Sequence, residues 1–294
     1  MNPARRPTAR DFLYELIRLA LSFGCGIEAR PIHHEAGTWS QLRIVDNYPG
    51  LDKGIFLLTA GIHGTEITGP LTIIQRFAGI IASTRAAGLR LVCYPLMNPS
   101  GWDNGTERNI DSGGGEVWNN DYLRYQMFNG VWTSSPPGGH SYKRWLWSSD
   151  PIVGERQPAE TRVMHGFLRN EDWPNIRVAL DLHQDNLTQG TPAGAYYYSF
   201  GDSSQYSNII AQIRRLTTVL GDYDFRFDRD KPDNVVRSDQ NGCIVFHDGT
   251  LSDLAHQIGV PHALTIEATG ATELQTAIEI NMTWIRGLCG LVSS

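Results

Sequence analysis

The sequence predicts a single α/β domain, built on a mixed, mainly parallel twisted sheet with helices on both faces. Three observations carry this. Short apolar runs recur at residues 55–60, 90–96, 177–182 and 262–266, the pattern of strands covered on both faces. Stretches with apolar residues at helical spacing lie between them. At 294 residues, 41% hydrophobic and 19% charged, the chain can bury one large core, and no internal repeat or low-complexity tract divides it.

Residues 11–23 place Phe12, Leu13, Leu16, Ile17, Ala20 and Leu21 at helical spacing, and Gly24 and Gly26 end the helix. Arg5 and Arg6 before this stretch mimic a secretory leader, but Asp11, Glu15 and Arg18 interrupt it, which fits an amphipathic helix. Residues 27–34 and 39–45 read as two strands around the turn 35–38. Gly69 and Pro70 open a helix to about residue 82, with Leu71, Ile74, Phe77 and Ile81 on one face. Residues 158–168, 206–220, 251–258 and 271–291 also read as helices. Residues 195–200 read as a strand containing Tyr196, Tyr197 and Tyr198, and 221–241 as a polar loop. The domain spans 1–294 with a long irregular, loop-rich insertion at about 98–158. That insertion is rich in Gly, Asn, Ser and Pro, but its tryptophans argue for packed loops that wall a cleft.

The net charge of -6 and the lack of a basic block exclude a nucleic-acid footprint. No run is long and apolar enough for a membrane span. Four scattered cysteines form no Cys-x-x-Cys pair, so buried free thiols in a reducing compartment, and a cytoplasmic location, are expected.

The chemistry centres on residues 55–66, where an apolar run ends at Gly61 and His63 and Glu66 follow. Alone, this pair reads equally as two metal ligands or as a turn with a structural histidine. Two further strand ends supply His183, after Val178–Leu182, and Glu267, after Ala263–Ile266. Loops from strand ends of an open α/β sheet converge on one crevice. Two imidazoles and a carboxylate form a catalytic zinc set with room for water, and a nearby acid can take that water's proton. Asp181 shares a strand face with His183 and would orient it, a part that Asp185 could play instead. Of the other histidines, His33 and His34 read as structural, and His140, His165, His256 and His262 lack motif context. Gly113–Gly115 is not a phosphate loop, since no Lys-Ser/Thr follows it.

With these residues in place, the chain resembles the zinc carboxypeptidase superfamily, which includes succinylglutamate desuccinylase and aspartoacylase. The resemblance runs over His63-Gly-Thr-Glu66, Asn98-Pro-Ser-Gly101, Arg108, Pro158-Ala-Glu-Thr161, His183 and Thr265-Ile-Glu267, most of the chain. It implies a zinc carboxypeptidase/phosphorylase-hydrolase-like fold, with one Zn²⁺ per chain on His63, Glu66 and His183. It further implies Glu267 as general base and Arg108 as oxyanion stabiliser, where the alternative for Arg108 is a salt bridge with Glu107 or Asp111. The substrate would be a small peptide or an acylated amino acid. The Asn-Arg pair that grips a substrate carboxylate in these proteins is incomplete: Asn119 or Asn120 stands for the Asn, and only Arg124, nearby, can substitute for the Arg. Tyr198 and His247 are further candidates to contact substrate, His247 lying where the superfamily has a tyrosine. Three functions follow: a metallocarboxypeptidase, an N-acyl amino acid deacylase, or a non-catalytic zinc- or ligand-binding protein on the same scaffold.

Overall fold

The computed structural model describes residues 6–34, 37–110, 116–117, 122–136, 141–153, 157–185, 191–226 and 235–293. The expected turn at 35–38 lies partly outside them, as do Gly113–Gly115, Asn119, Asn120 and His140.

Helix α1 (Ala9–Ser22) starts where the Thr8 hydroxyl accepts from the Asp11 amide, a side-chain N-cap. The antiparallel strands β1 (Cys25–His34) and β2 (Gly37–Asp46) follow. Next come β3 (Ile55–Ala60), α2 (Thr68–Ala86) and β4 (Arg90–Tyr94). The segment read as an irregular insertion contains α3 (Pro99–Asn104), the strand pair β5 (Asn109–Ile110) and β6 (Glu116–Val117), and a small sheet of β7 (Leu123–Gln126), β8 (Trp132–Thr133) and β9 (Arg144–Trp147). Then follow α4 (Ala159–Leu168), β10 (Ile176–Asp185), β11 (Ala195–Ser199) and α5 (Ser207–Ile213). A hairpin of β12 (Asp224–Arg226) and β13 (Val235–Arg237) precedes β14 (Cys243–Ile244), α6 (Leu251–Ile258), β15 (His262–Thr269) and α7 (Leu274–Ser293).

The main sheet has eight strands in the order β1-β2-β4-β3-β10-β15-β11-β14. Its centre, β4-β3-β10-β15, is parallel, while β1, β2 and β11 add antiparallel pairings. The α/β class and both-face coverage expected from the apolar runs are therefore observed. Alternation along each central strand sorts the two cores. Phe56, Leu58 and Ala60 of β3 pack with α1, α2, α5 and α7, and Ile55 and Leu57 pack on the other side with α4, α6 and the small sheet.

Two expectations change. The helix read over 206–220 stops at Ile213, because the chain at 218–220 bonds alongside β11 instead: the Ala195 amide donates to Thr218, and the Leu220 amide to Ala195. The polar loop read over 221–241 holds the β12–β13 hairpin, anchored by fully buried Phe225 against Tyr196. His183 and Glu267, read as strand ends, lie two residues inside the ends of β10 and β15.

Leu58 is fully buried at the sheet centre. Leu58→Ala is therefore expected to cost about 2–5 kcal/mol, the range for a leucine truncated in a packed core. A fall in the urea midpoint at unchanged slope is the check.

Candidate metal centre and its cleft

The centre forms at the carboxyl ends of the parallel strands. His183 on β10 lies in register with Glu267 on β15, and Glu267 faces Tyr196 directly across on β11. Both His183 and Glu267 point to the sheet face that carries Ala179 and Ala263, away from the Leu180, Leu182, Leu264 and Ile266 core. Just past β3, the loop delivers His63 and Glu66 to the same place.

Glu66 is buried and held from several sides. Its Oε1 lies 2.6 Å from His63 Nδ1, and its Oε2 lies 3.0 Å from His183 Nδ1 and accepts from the Gln184 amide at 3.1 Å. One donor atom from each of His63, Glu66 and His183 falls within a 4.8 Å group. Burial disfavours the Glu66 carboxylate, but His63 and His183 outweigh it and hold the carboxyl at about 2. Burial also works against charge on His183, yet Glu66, Asp181 and Glu267 raise its pKa well above the usual imidazole value. Burial, aided by Glu66, Asp185 and Asp181, drives the Glu267 carboxyl well above its usual range, with His183 opposing. Several carboxylates thus crowd two imidazoles in a desolvated place, a setting that favours a bound cation.

A second layer fixes these donors. His183 turns its other nitrogen, Nε2, to Asp181 Oδ2 at 3.1 Å, and Thr59 donates to Asp181 Oδ1 at 2.7 Å from the neighbouring strand. Asp181 therefore contacts His183, and Asp185 accepts from the Tyr196 hydroxyl at 3.0 Å. The His63 loop is pinned where the Gly64 amide donates to Glu107 at 2.9 Å and the Gly64 carbonyl accepts from Arg6. Arg6 in turn lies 3.7 Å above the Trp102 ring, whose Nε1 donates to Pro7. Gly64 passes so close to α3 that a Cβ there would sit 2.1 Å from the Gly101 carbonyl carbon. The Asn98–Gly101 and Pro158–Thr161 segments also meet: Ser100 donates to Glu160, which takes His34 Nε2 at 3.0 Å on its other oxygen.

A cavity of about 140 Å³ opens on the triad. Glu267, the three candidate ligands, Tyr196, Tyr198, Phe246, Asp185 and Asp248 line it. Burial and Asp253 push the Asp248 carboxyl up to about 6. Thr250, Ser252 and Thr265 complete the lining.

Of the residues expected to meet substrate, Tyr198 reaches this cavity. His247 does not line it: neighbours Phe246 and Asp248 face inward, and the His247 ring packs on Phe200 with Nδ1 2.7 Å from Asp253. Alternation along the chain turns it to the Tyr125 side. Arg124 is half-buried on β7 and Arg108 is half-buried beside Glu107; neither lines the cavity. Asn119 and Asn120 lie outside the described residues. Tyr196 and Thr265, each two residues along a strand from Tyr198 or Glu267, line the cavity as well. Asp248, Thr250 and Ser252 have no such strand spacing, because a loop and a helix start bring them in.

No protein-family model matches the sequence, and no curated protein matches it. Solved structures do share its fold. A candidate metallopeptidase from Shewanella baltica OS155 is 15% identical, with a TM-score of 0.64 over 96% of this chain and 91% of its own. Bovine thrombin-activatable fibrinolysis inhibitor is 13% identical, at 0.58 over 98% and 97%. A metallo-carboxypeptidase from Pseudomonas aeruginosa is 14% identical, at 0.55 over 96% and 68%. The chain has the α/β fold of the metallo-carboxypeptidases.

Because no side chain fits at residue 64, Gly64→Ala is expected to displace the His63 loop. Chelator competition should then show affinity for an added divalent metal lower by roughly 10–100-fold, the usual effect of disturbing a ligand's support.

Proposed function

We propose that the protein is a zinc-dependent hydrolase of carboxypeptidase type, cleaving an amide next to a terminal amino-acid residue. One observation carries this: two imidazoles, a carboxylate and a separate buried glutamate share one cavity at the carboxyl ends of the parallel strands. The donor set fits zinc, which takes His and Glu ligands in catalytic sites and leaves a position open. Glu267 Oε2 is buried without a hydrogen-bond partner among the described residues, as expected of an acceptor kept for water or substrate.

His63, Glu66 and His183 would hold one Zn²⁺, which supplies Lewis acidity, acidifying a water and polarising an acyl oxygen. Asp181 fixes the His183 ring so that Nδ1 faces Glu66. Glu267 takes the proton of the attacking water on its open oxygen and returns it to the leaving nitrogen as the amide C–N bond breaks. The walls of the cavity hold the terminal residue beside Glu267. By the resemblance Arg108 is the oxyanion stabiliser, although its side chain does not line the cavity in this structure.

A second reading is an N-acyl amino acid deacylase of the desuccinylase and aspartoacylase type. The Asp181-Leu-His183 arrangement on one strand, with Asp181 contacting His183, favours it. Assays with N-succinyl and N-acetyl amino acids beside dipeptides separate the two. All four cysteines are buried and free, which supports a reducing, cytoplasmic location. No helix among the described residues is long and apolar enough to cross a membrane.

His63→Ala and His183→Ala are each expected to lose the metal, read by elemental analysis. Glu267→Gln should keep zinc while kcat falls by roughly 10²–10⁴-fold, the usual share of a positioned general base. Undiminished turnover by that variant would remove Glu267 from the mechanism.

A further inference from the structure

Gly64 stands between two of the candidate ligands, where its neighbours leave no room for a side chain. A residue without Cβ has an unusually free backbone, so the spacing of His63 and Glu66 has to be fixed from outside. The peptide between His63 and Gly64 is held by backbone groups. The Glu66 amide donates to the His63 carbonyl at 3.2 Å, and the Gly64 amide donates to the Glu107 carbonyl at 2.9 Å. The next peptide, between Gly64 and Thr65, is held at its carbonyl by a side chain, through Arg6 Nη2.

A guanidinium gives up much water for this bond. Arg6 is half-buried, and its Nε is buried with no hydrogen-bond partner among the described residues. Burial lowers its pKa to about 10, with Asp103 opposing, so it is still a cation near neutrality. A cation leaves water only where something specific receives it. Here the Trp102 ring does, 3.7 Å from Cζ. That ring is buried and packs on Phe12 with centroids 5.4 Å apart.

Seating the segment before α1 does not depend on Arg6. The Trp102 Nε1 donates to the Pro7 carbonyl at 2.9 Å, the Ala9 amide donates to Asp103 Oδ1 at 2.6 Å, and Thr8 caps the helix. What Arg6 adds is a bond to the loop that carries the candidate ligands, 58 residues along the chain.

We propose that Arg6 is a positioning residue of the candidate metal centre: stacked on Trp102, its guanidinium sets the Gly64–Thr65 peptide and through it the spacing of His63 and Glu66. This rests on reading His63, Glu66 and His183 as one metal site. It gives that site a control outside the sheet, in the segment before α1.

Titration with Co²⁺, followed by visible absorption, tests it, because the spectrum of this ion reports its ligand geometry. Arg6→Gly should bind Co²⁺ roughly 10–100-fold more weakly than the unaltered protein, the range for a ligand that loses its support. Millimolar guanidinium chloride should restore most of that affinity by filling the slot between the Trp102 ring and the Gly64 carbonyl. Sodium chloride at the same ionic strength should not. Arg6→Gln, checked for an unchanged helical signal, should also bind more weakly, since its amide lacks the charged planar fork. Unchanged affinity in both variants, or a loss that guanidinium does not mend, overturns the positioning role and leaves the metal site standing. If the unaltered protein binds no Co²⁺, or His63→Ala binds it equally well, the metal reading fails and this proposal falls with it.

Discussion

A carboxylate taken out of water must find charge or donors at once, because an uncompensated buried ion costs several kcal/mol. Glu66 meets that constraint with His63 on one oxygen and His183 and the Gln184 amide on the other. Everything else in the centre follows from keeping those partners in place. One imidazole comes from the loop after β3 and the other from β10, so the parallel pairing of β3 with β10 decides whether they meet at all. The central strands are held by two separate cores, one on each face. The chemistry needs the register, and the register needs the packing.

Support for the donors is layered. Thr59, Asp181 and Thr265 lie in register across β3, β10 and β15, and Asp181 passes that order to the His183 ring. On the loop side, Gly64 is clasped by Glu107 and Arg6, and α3 leaves it no room for a side chain. Glu160 ties Ser100 to His34 and so anchors the start of α3 to β1.

Much of this was legible in the chain. Residues 55–60, 177–182 and 262–266 are mostly apolar on both strand faces, which is how doubly covered strands declare themselves, and the candidate ligands stand at or near their ends. The 206–220 helix was overread because Leu216 and Leu220 continue a helical spacing that pairing beside β11 overrides. The β12–β13 pair was invisible because three-residue strands give no measurable alternation, and Phe225 is their one fully buried side chain among the described residues. His247 matched a sequence position but faces away from the cavity, since sequence distance from Glu267 says nothing about which way a loop residue turns. Tyr196 was within reach of the strand period; Asp248 and Ser252 depend on how a turn enters α6, which only tertiary structure fixes.

The central claim is that His63, Glu66 and His183 act together as one zinc site. X-ray absorption at the zinc edge of the protein loaded with one equivalent of metal tests it most directly. The account predicts a first shell of nitrogen and oxygen only, with the multiple-scattering signature of two imidazoles. A sulfur shell, or a spectrum with fewer than two imidazoles, would contradict it.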